Sequence, residues 1–358
     1  MKQVALFLPN WVGDAVMATP TLRALRNSYS RNVRLIGIGK PAVAGVLEGS
    51  PWLNEIWTFK ARSRTGIANR RAIIRRLRQT KIDTAILFPN SFTSAAMAWL
   101  SGARHRIGYA RDGRSFMLTQ RLQAPRDGRK WRALSAVDYY LGLADAIGAV
   151  TVDRSMELVL TSHDRQQHQS LLSKWNWDMN APTIVINNGG AYGGARLWPT
   201  VHVCELAKKL SQHSDLQILL HCGPDERQAA NAIEAELANP KVRSLGTEEA
   251  LPLGLSKAVL AKASVAISTD SGPRHIAVAF NRPVITLYGP TDPAWTTTYN
   301  VRESAIEEKL PCRACWKRTC PLGHHRCMKD LKVERVYHEI MLRLADAQSD
   351  NYQRTKVA

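Results

Sequence analysis

Ser264 to Thr291 reads SVAISTDSGPRHIAVAFNRPVITLYGPT, and its pattern is strand, tight turn, helix, strand. Val265-Ala266-Ile267 is a short apolar run of the kind that fills a buried parallel strand. Ser268-Thr269-Asp270-Ser271-Gly272 is a small polar turn. Pro273 follows at the first turn of a helix, where a missing N–H costs nothing. Ile276, Ala277 and Phe280 give that helix an apolar face, and Pro283 to Tyr288 is a second buried strand. A strand-to-helix turn aims free backbone N–H groups and a positive dipole end above the sheet, most naturally at a phosphate. Asp270, Ser271 and His275 stand where they could reach the same ligand. Asp270 could bond that ligand or simply cap the helix.

The same rhythm runs outward in both directions. Val4 to Leu8 is a first strand, Trp11-Val12-Gly13-Asp14 its loop, and Ala15 to Ser28 a helix. Asp14 is a lone carboxylate at a helix start, so cap and catalytic roles are both open. Strands at 33–38, 54–59 and 84–88 and helices at 43–48, 94–100 and 137–147 complete the first half. In the second half, a strand at 183–187 runs into a glycine-rich loop, Asn188 to Arg196. Strands at 216–222 and 242–245 and helices at 199–212 and 253–262 follow. Alternation in both halves predicts an α/β chain of two doubly wound sheets facing a central cleft. The glycine loop lets backbone approach a diphosphate, which Arg196 could neutralise. It lacks the G-x-G-x-x-G dinucleotide spacing and is weak alone.

Length and composition agree with two globular domains. The chain has 358 residues and 45% hydrophobic residues. No apolar run reaches the roughly 18 residues of a membrane span. The N-terminal apolar run ends at Pro9-Asn10-Trp11 without a small-residue cleavage site and reads as a strand, not a signal peptide. The chain therefore reads as cytoplasmic. A net charge of +19 points to a polyanionic partner: nucleic acid, an anionic membrane or a phosphorylated substrate. The alternative is a generally basic surface, but the charge is uneven. Lys60 to Arg78 holds eight basic residues and no acidic one, and Arg104 to Arg132 nine against two. Arg71, Arg75 and Arg78 fall on the polar face of a helix opposite Ile73, Ile74 and Leu77, which suggests an anion-binding surface. Cys312, Cys315, Cys320 and Cys327 lie within 16 residues. They could form a structural zinc site, reduced thiols or a redox-sensitive pair, since the spacing after Cys315 fits no common finger. Cys204 and Cys222 read as core.

Four stretches together resemble the bacterial ADP-heptose:lipopolysaccharide heptosyltransferases, glycosyltransferase family 9. They are Trp11-Val12-Gly13-Asp14 with Thr19-Pro20 and Leu22, Leu87 to Phe92, Gly190 to Pro199, and Thr269 to Ala277. The Pro89-Asn90-Ser91-Phe92 element is most similar to the heptosyltransferase II branch, which adds heptose to heptose. The resemblance implies a GT-B fold of two Rossmann-like domains. Residues 1–165 would bind the acceptor and 166–332 the ADP-sugar, with the Cys-rich segment 312–327. The helix in 333–358 would pack back on the first domain. It implies inverting transfer of heptose from ADP-L-glycero-D-manno-heptose, with Asp14 as general base. Gly190, Ala191, Arg196, Glu226, Thr269, Asp270, Ser271, Gly272 and His275 would bind the donor. Arg196 stands where many members have Lys. Asn90, Ser91, Arg71 and Arg75 would bind a phosphorylated lipid A–core acceptor, at the inner face of the inner membrane.

No Asp-x-Asp motif is present, so no essential metal or cofactor is expected beyond a structural zinc on the four cysteines. Three other readings stay open: a transferase with another donor or acceptor, a GT-B-fold nucleotide-sugar epimerase, and a nucleic-acid-binding protein. The last explains the charge but not a carboxylate loop paired with a glycine loop, so no nucleic-acid partner is expected.

Overall fold

The computed structural model describes residues 2–59, 66–128, 130–151, 153–190 and 192–357, and the side chains of 347–357 are not described. Ala191, Arg129 and residues 60–65 of the first basic tract lie outside it. The chain divides into two compact units, Met1–Val159 with Ala294–Tyr299, and Leu160–Pro293 with Asn300–Ala358.

The first unit is built on β1 (Gln3–Phe7), β2 (Arg34–Gly39), β3 (Glu55–Thr58), β4 (Thr84–Leu87), β5 (His105–Tyr109) and β6 (Gln120–Leu122). These form one sheet in the order β3-β2-β1-β4-β5-β6, with every recorded pairing parallel. Strands buried on both faces read as continuous apolar runs, as β1 and β4 do. A small hairpin, β7 (Arg126–Asp127) and β8 (Lys130–Trp131), follows. The helices are α1 (Val12–Met17), α2 (Thr19–Ser28), α3 (Pro41–Leu47), α4 (Gly66–Gln79), α5 (Phe92–Leu100) and α6 (Ala136–Asp145). Phe7, Ile36, Ile38, Trp57, Leu77, Leu87 and Met97 meet in one core cluster. Each such side chain stabilises the fold by about 1.5–3 kcal/mol relative to exposure.

The helix expected over 15–28 is two helices, broken at Ala18. Pro20 has no N–H to offer the carbonyl of Val16. The Thr19 hydroxyl takes that carbonyl instead, at 2.7 Å, and accepts from the Glu157 N–H at 3.1 Å.

The second unit repeats the plan. Its strands are β9 (Thr183–Asn187), β10 (Gln217–His221), β11 (Val242–Ser244), β12 (Val265–Thr269), β13 (Val284–Tyr288) and β14 (Glu303–Glu307). Their order is β11-β10-β9-β12-β13-β14, again parallel. Its helices are α7 (Ser162–Trp175), α8 (Thr200–Ser211), α9 (Arg227–Leu237), α10 (Leu253–Lys262), α11 (Gly272–Ala279), α12 (Arg326–Lys329) and α13 (Val333–Val357). The stretch from Ser264 to Thr291 thus folds as read, β12-turn-α11-β13. The α7 helix begins with a capping box between Thr161 and Asp164. Asp164 also holds the buried Lys257 of α10 at 3.0 Å. Helix α13 packs on α8, β12 and β13 of its own unit, with Val333, Val336 and Ile340 buried. Both sheets are doubly wound Rossmann sheets of one strand order, an α/β GT-B architecture. Among the described residues, no helix is long and apolar enough to cross a membrane.

Candidate active site

In a sheet of this order, ligands bind beyond the strand C-termini where the order reverses. In the second unit that switch point lies between β9 and β12. The loops leaving these two strands are the glycine loop and the Asp270–Ser271 turn. The two come close together. Gly190 has φ +151°, and a Cβ there would sit 3.0 Å from the Cβ of Ser271. Thr269 Oγ1 donates to the Gly189 carbonyl at 2.9 Å. Asn187 Nδ2 donates to Ser268 Oγ at 3.1 Å and to Ser271 Oγ at 3.0 Å, while its Oδ1 pairs with His221 Nδ1 at 3.1 Å. Glu226 closes the loop from the far side, accepting from the N–H groups of Gly190 at 3.0 Å and Gly223 at 2.6 Å. A side chain at Gly189 or Gly223 would collide with it.

The turn leads into α11, whose first-turn N–H groups have no intrahelical acceptor. Ser271 occupies its N-cap position without a side-chain cap bond, and Pro273 sits in the first turn. Arg196 stacks on the Tyr192 ring at 3.9 Å and pairs with Asp270 Oδ2 at 3.3 Å. It also donates to the Asp270 carbonyl. Among the described residues its Nε is buried without a hydrogen-bond partner, as is Nδ1 of His275. His275 is 3% exposed. Burial, reinforced by the Arg274 cation, lowers its pKa to about 3, so the ring is neutral at physiological pH. Two polar atoms without a partner among the described residues, beside a helix N-terminus and a guanidinium, suit an anionic ligand.

Asp270 differs from both sequence readings. It is 3% exposed. Oδ1 accepts from Arg274 Nη1 at 3.0 Å, and Oδ2 accepts from Thr291 Oγ1 at 2.8 Å besides meeting Arg196. It neither caps α11 nor turns an oxygen outward; it anchors Arg196. Burial pushes its carboxyl up, but Arg274 and Arg196, with the Thr291 hydrogen bond, outweigh that and hold it below the ordinary value. Arg274 is in turn bound to Glu303 at 2.5 Å. Tyr192, Arg274 and Thr291 were not singled out from the sequence. An aromatic four residues before Arg196 was the available signal for the first.

In the first unit the switch point lies between β1 and β4. Asp14 follows β1 and Asn90 follows β4. Trp11, not Asp14, takes the N-cap position of α1, and Asp14 lies inside the first turn. Burial first, and then the Asp14 charge, hold the Tyr140 hydroxyl well above the ordinary phenol range. A cavity of about 310 Å³ opens here, lined by Leu8, Asn10, Trp11, Lys40, Arg70 and Ser91 among others. Ser91, expected to bind acceptor, uses its Oγ to cap α5 through the Ser94 N–H at 3.2 Å. Arg71 and Arg75 are exposed on α4 and do not line this cavity, whereas Arg70 and Lys40 do. The amphipathic pattern marked the solvent face of α4 and could not show which arginine turns to the strand ends.

The Cys-rich segment braces the glycine loop. The Arg318 carbonyl accepts from the Ala195 N–H at 3.0 Å, and His325 Nε2 lies 2.9 Å from the Ala195 carbonyl. The Tyr192 hydroxyl donates to the Trp316 carbonyl. Burial and then the neighbouring thiols of Cys320, Cys312 and Cys315 raise the Cys327 thiol. Among the described residues, no three His, Cys, Asp or Glu side chains are placed to hold a metal ion.

The model of glycosyltransferase family 9 (heptosyltransferase) matches residues 70–326. The chain is 27% identical to lipopolysaccharide heptosyltransferase 2 of Escherichia coli K12, over 93% of this chain and 95% of that protein. It superposes on the structure of the E. coli ADP-heptose LPS heptosyltransferase II with a TM-score of 0.79. The identity there is 25%, and the match covers 97% of this chain and all of that one. An E. coli heptosyltransferase solved with ADP-2-deoxy-2-fluoro heptose shares the fold at TM-score 0.70 and 19% identity, over 95% of this chain and 99% of the other.

Proposed function

The chain belongs to glycosyltransferase family 9, and from that premise we propose that it transfers heptose from ADP-L-glycero-D-manno-heptose to a heptose of the lipopolysaccharide inner core, with inversion. The observation that carries this reading is the anion cradle of the second unit. There the α11 N-terminus, Arg196 held by Asp270, and the glycine loop held by Glu226 surround one switch point. A departing diphosphate meets N–H groups at Ser271 and Gly272 and the Arg196 cation, which receive the charge that develops as the anomeric C–O bond breaks. Glu226, Gly190, Thr269 and His275 shape that donor site, and Ala191 is assigned to it by the family resemblance.

The acceptor hydroxyl attacks the anomeric carbon and gives its proton to Asp14. Asn90 and the cavity behind Trp11 hold the acceptor sugar, and Arg71 and Arg75 attract the phosphates of its lipid A part. The enzyme works at the inner face of the inner membrane, where the basic first unit meets anionic lipid. No metal takes part in this reading.

Mass spectrometry of the products formed from ADP-heptose and defined core acceptors tests the substrate assignment. No mass gain with any heptose-terminated acceptor sinks it. Replacement of Asp14 tests the base. Asp14→Asn should fold normally, bind ADP unchanged, and lose about 10²–10⁴-fold in kcat. A fully active Asp14→Asn protein removes Asp14 from that role.

A further inference from the structure

Arg114, in the loop after β5, is completely buried. A guanidinium carries five N–H donors and no acceptor. Among the described residues they meet only neutral groups. Nε donates to the Tyr109 carbonyl at 3.2 Å, and Nη2 to the same carbonyl at 3.1 Å and to Asn90 Oδ1 at 3.1 Å. Nη1 donates to the Pro89 carbonyl and reaches Ser94 Oγ at 3.5 Å. Burial draws the pKa down to about 10, against the pull of the Asp112 charge, and the group stays a cation at neutral pH. The fold makes room for it, since a Cβ at Gly108 of β5 would lie 3.2 Å from its Nη2.

A cation buried without a carboxylate is costly unless its donors are satisfied, and here they are satisfied by Tyr109 and by the turn after β4. The groups it holds are Pro89, Asn90 and Ser94, which shape the turn between β4 and α5. Because a guanidinium only donates, the Asn90 atom facing it is the carbonyl oxygen. The Tyr139 hydroxyl donates to that same oxygen, also at 3.1 Å. Tyr139 is itself fixed, its ring stacked on Tyr109 with centroids 3.8 Å apart. Both donors claim Oδ1, so the Asn90 NH₂ is directed away from them. Its chain neighbours Pro89 and Ser91 both line the 310 Å³ cavity.

We infer that Arg114 is a positioning residue for the acceptor: its buried guanidinium fixes the Asn90 amide so that the NH₂ group donates to an oxygen of the acceptor sugar. A cation behind the carbonyl polarises the amide and strengthens that donor. The inference rests on the acceptor reading of the first unit and adds the group that sets its hydrogen-bond polarity.

Asn90→Asp separates this role from a purely structural one. The variant keeps the shape, gives Arg114 a carboxylate partner, and replaces the outward donor with an acceptor. It should melt no lower than the parent while acceptor KM rises about tenfold or more and ADP-heptose KM stays unchanged. Arg114→Lys keeps the charge but cannot serve all the acceptors, and should raise acceptor KM with the donor KM unmoved. Tyr139→Phe, which removes one of the two donors to Oδ1, should fall between Arg114→Lys and the parent. Unchanged acceptor KM in Asn90→Asp overturns the inference, whatever the Arg114 variant does. Absence of transfer by the parent protein would instead sink the functional reading itself.

Discussion

His275 was legible as a neighbour of the turn but not in its charge state, which depends on burial beside Arg274 of its own helix, Asp270 of the turn and Glu303 of β14. His221 behaves alike, burial alone lowering it to about 4. In the unfolded chain both rings titrate near pH 6.5. Below that pH the unfolded chain takes up protons that the folded protein refuses, so stability is complete above about pH 6.5 and declines toward pH 3–4. Asp270, whose folded value is depressed, adds its own loss only at lower pH. Melting temperatures measured from pH 7.5 down to 4 should fall, and His275→Gln should flatten that slope. An unaltered slope would place His275 in a more hydrated setting. Asp270 teaches the complementary lesson. Its position in the turn and its local partner Arg274, four residues on, were within reach of the sequence, but Arg196, from the glycine loop, was a matter of tertiary contact.

The glycine loop is the element whose sequence said most about its shape. Asn188 closes its ends, accepting from the Trp198 N–H at 2.8 Å and donating to the Trp198 carbonyl at 2.7 Å. Gly193 has φ +138°, and a Cβ there would lie 2.8 Å from the Arg318 carbonyl. Gly193→Ala should therefore cost about 1–3 kcal/mol of local strain, pull the loop from the Cys-rich segment, and raise the KM for ADP-heptose with little change for the acceptor. Steady-state kinetics with each substrate varied in turn checks this. Other elements were less legible. The α7 helix escaped notice because its turns, HDRQQHQS, are almost wholly polar, although the Thr161–Asp164 box announces its start. The β14 strand, ESAIE, has only Ile306 buried and carries the weak pattern of an edge. Strands β12 and β13 were plain because continuous burial leaves a largely apolar signal, and α11 because Pro273 marks its first turn.

At the scale of the molecule, one strand order is used twice, and each half places its polar residues at its own switch point. That repetition follows from alternating apolar runs and was readable throughout. The charge is not repeated. Residues 1–159 hold 25 Lys and Arg against 10 Asp and Glu, and most of the +19 excess lies there. Exposed arginines at 71 and 75 on α4 belong to that excess. Arg71→Gln with Arg75→Gln should raise the KM for a phosphorylated acceptor several-fold and weaken its dependence on salt, leaving ADP binding alone. Titration of acceptor kinetics against sodium chloride reads both effects. The division of the chain carries a further consequence, and it is genetic. The strap Ala294–Tyr299 belongs with the first unit, though sequence on either side of it belongs with the second. Its Thr297 carbonyl accepts from Ser135 Oγ at 2.7 Å, and its Tyr299 hydroxyl bonds Asp138, both at the start of α6. No single cut in the gene yields two complete halves. A fragment ending at Val159 would leave the head of α6 bare, and pairing two separately expressed halves would require one of them to lend back six residues.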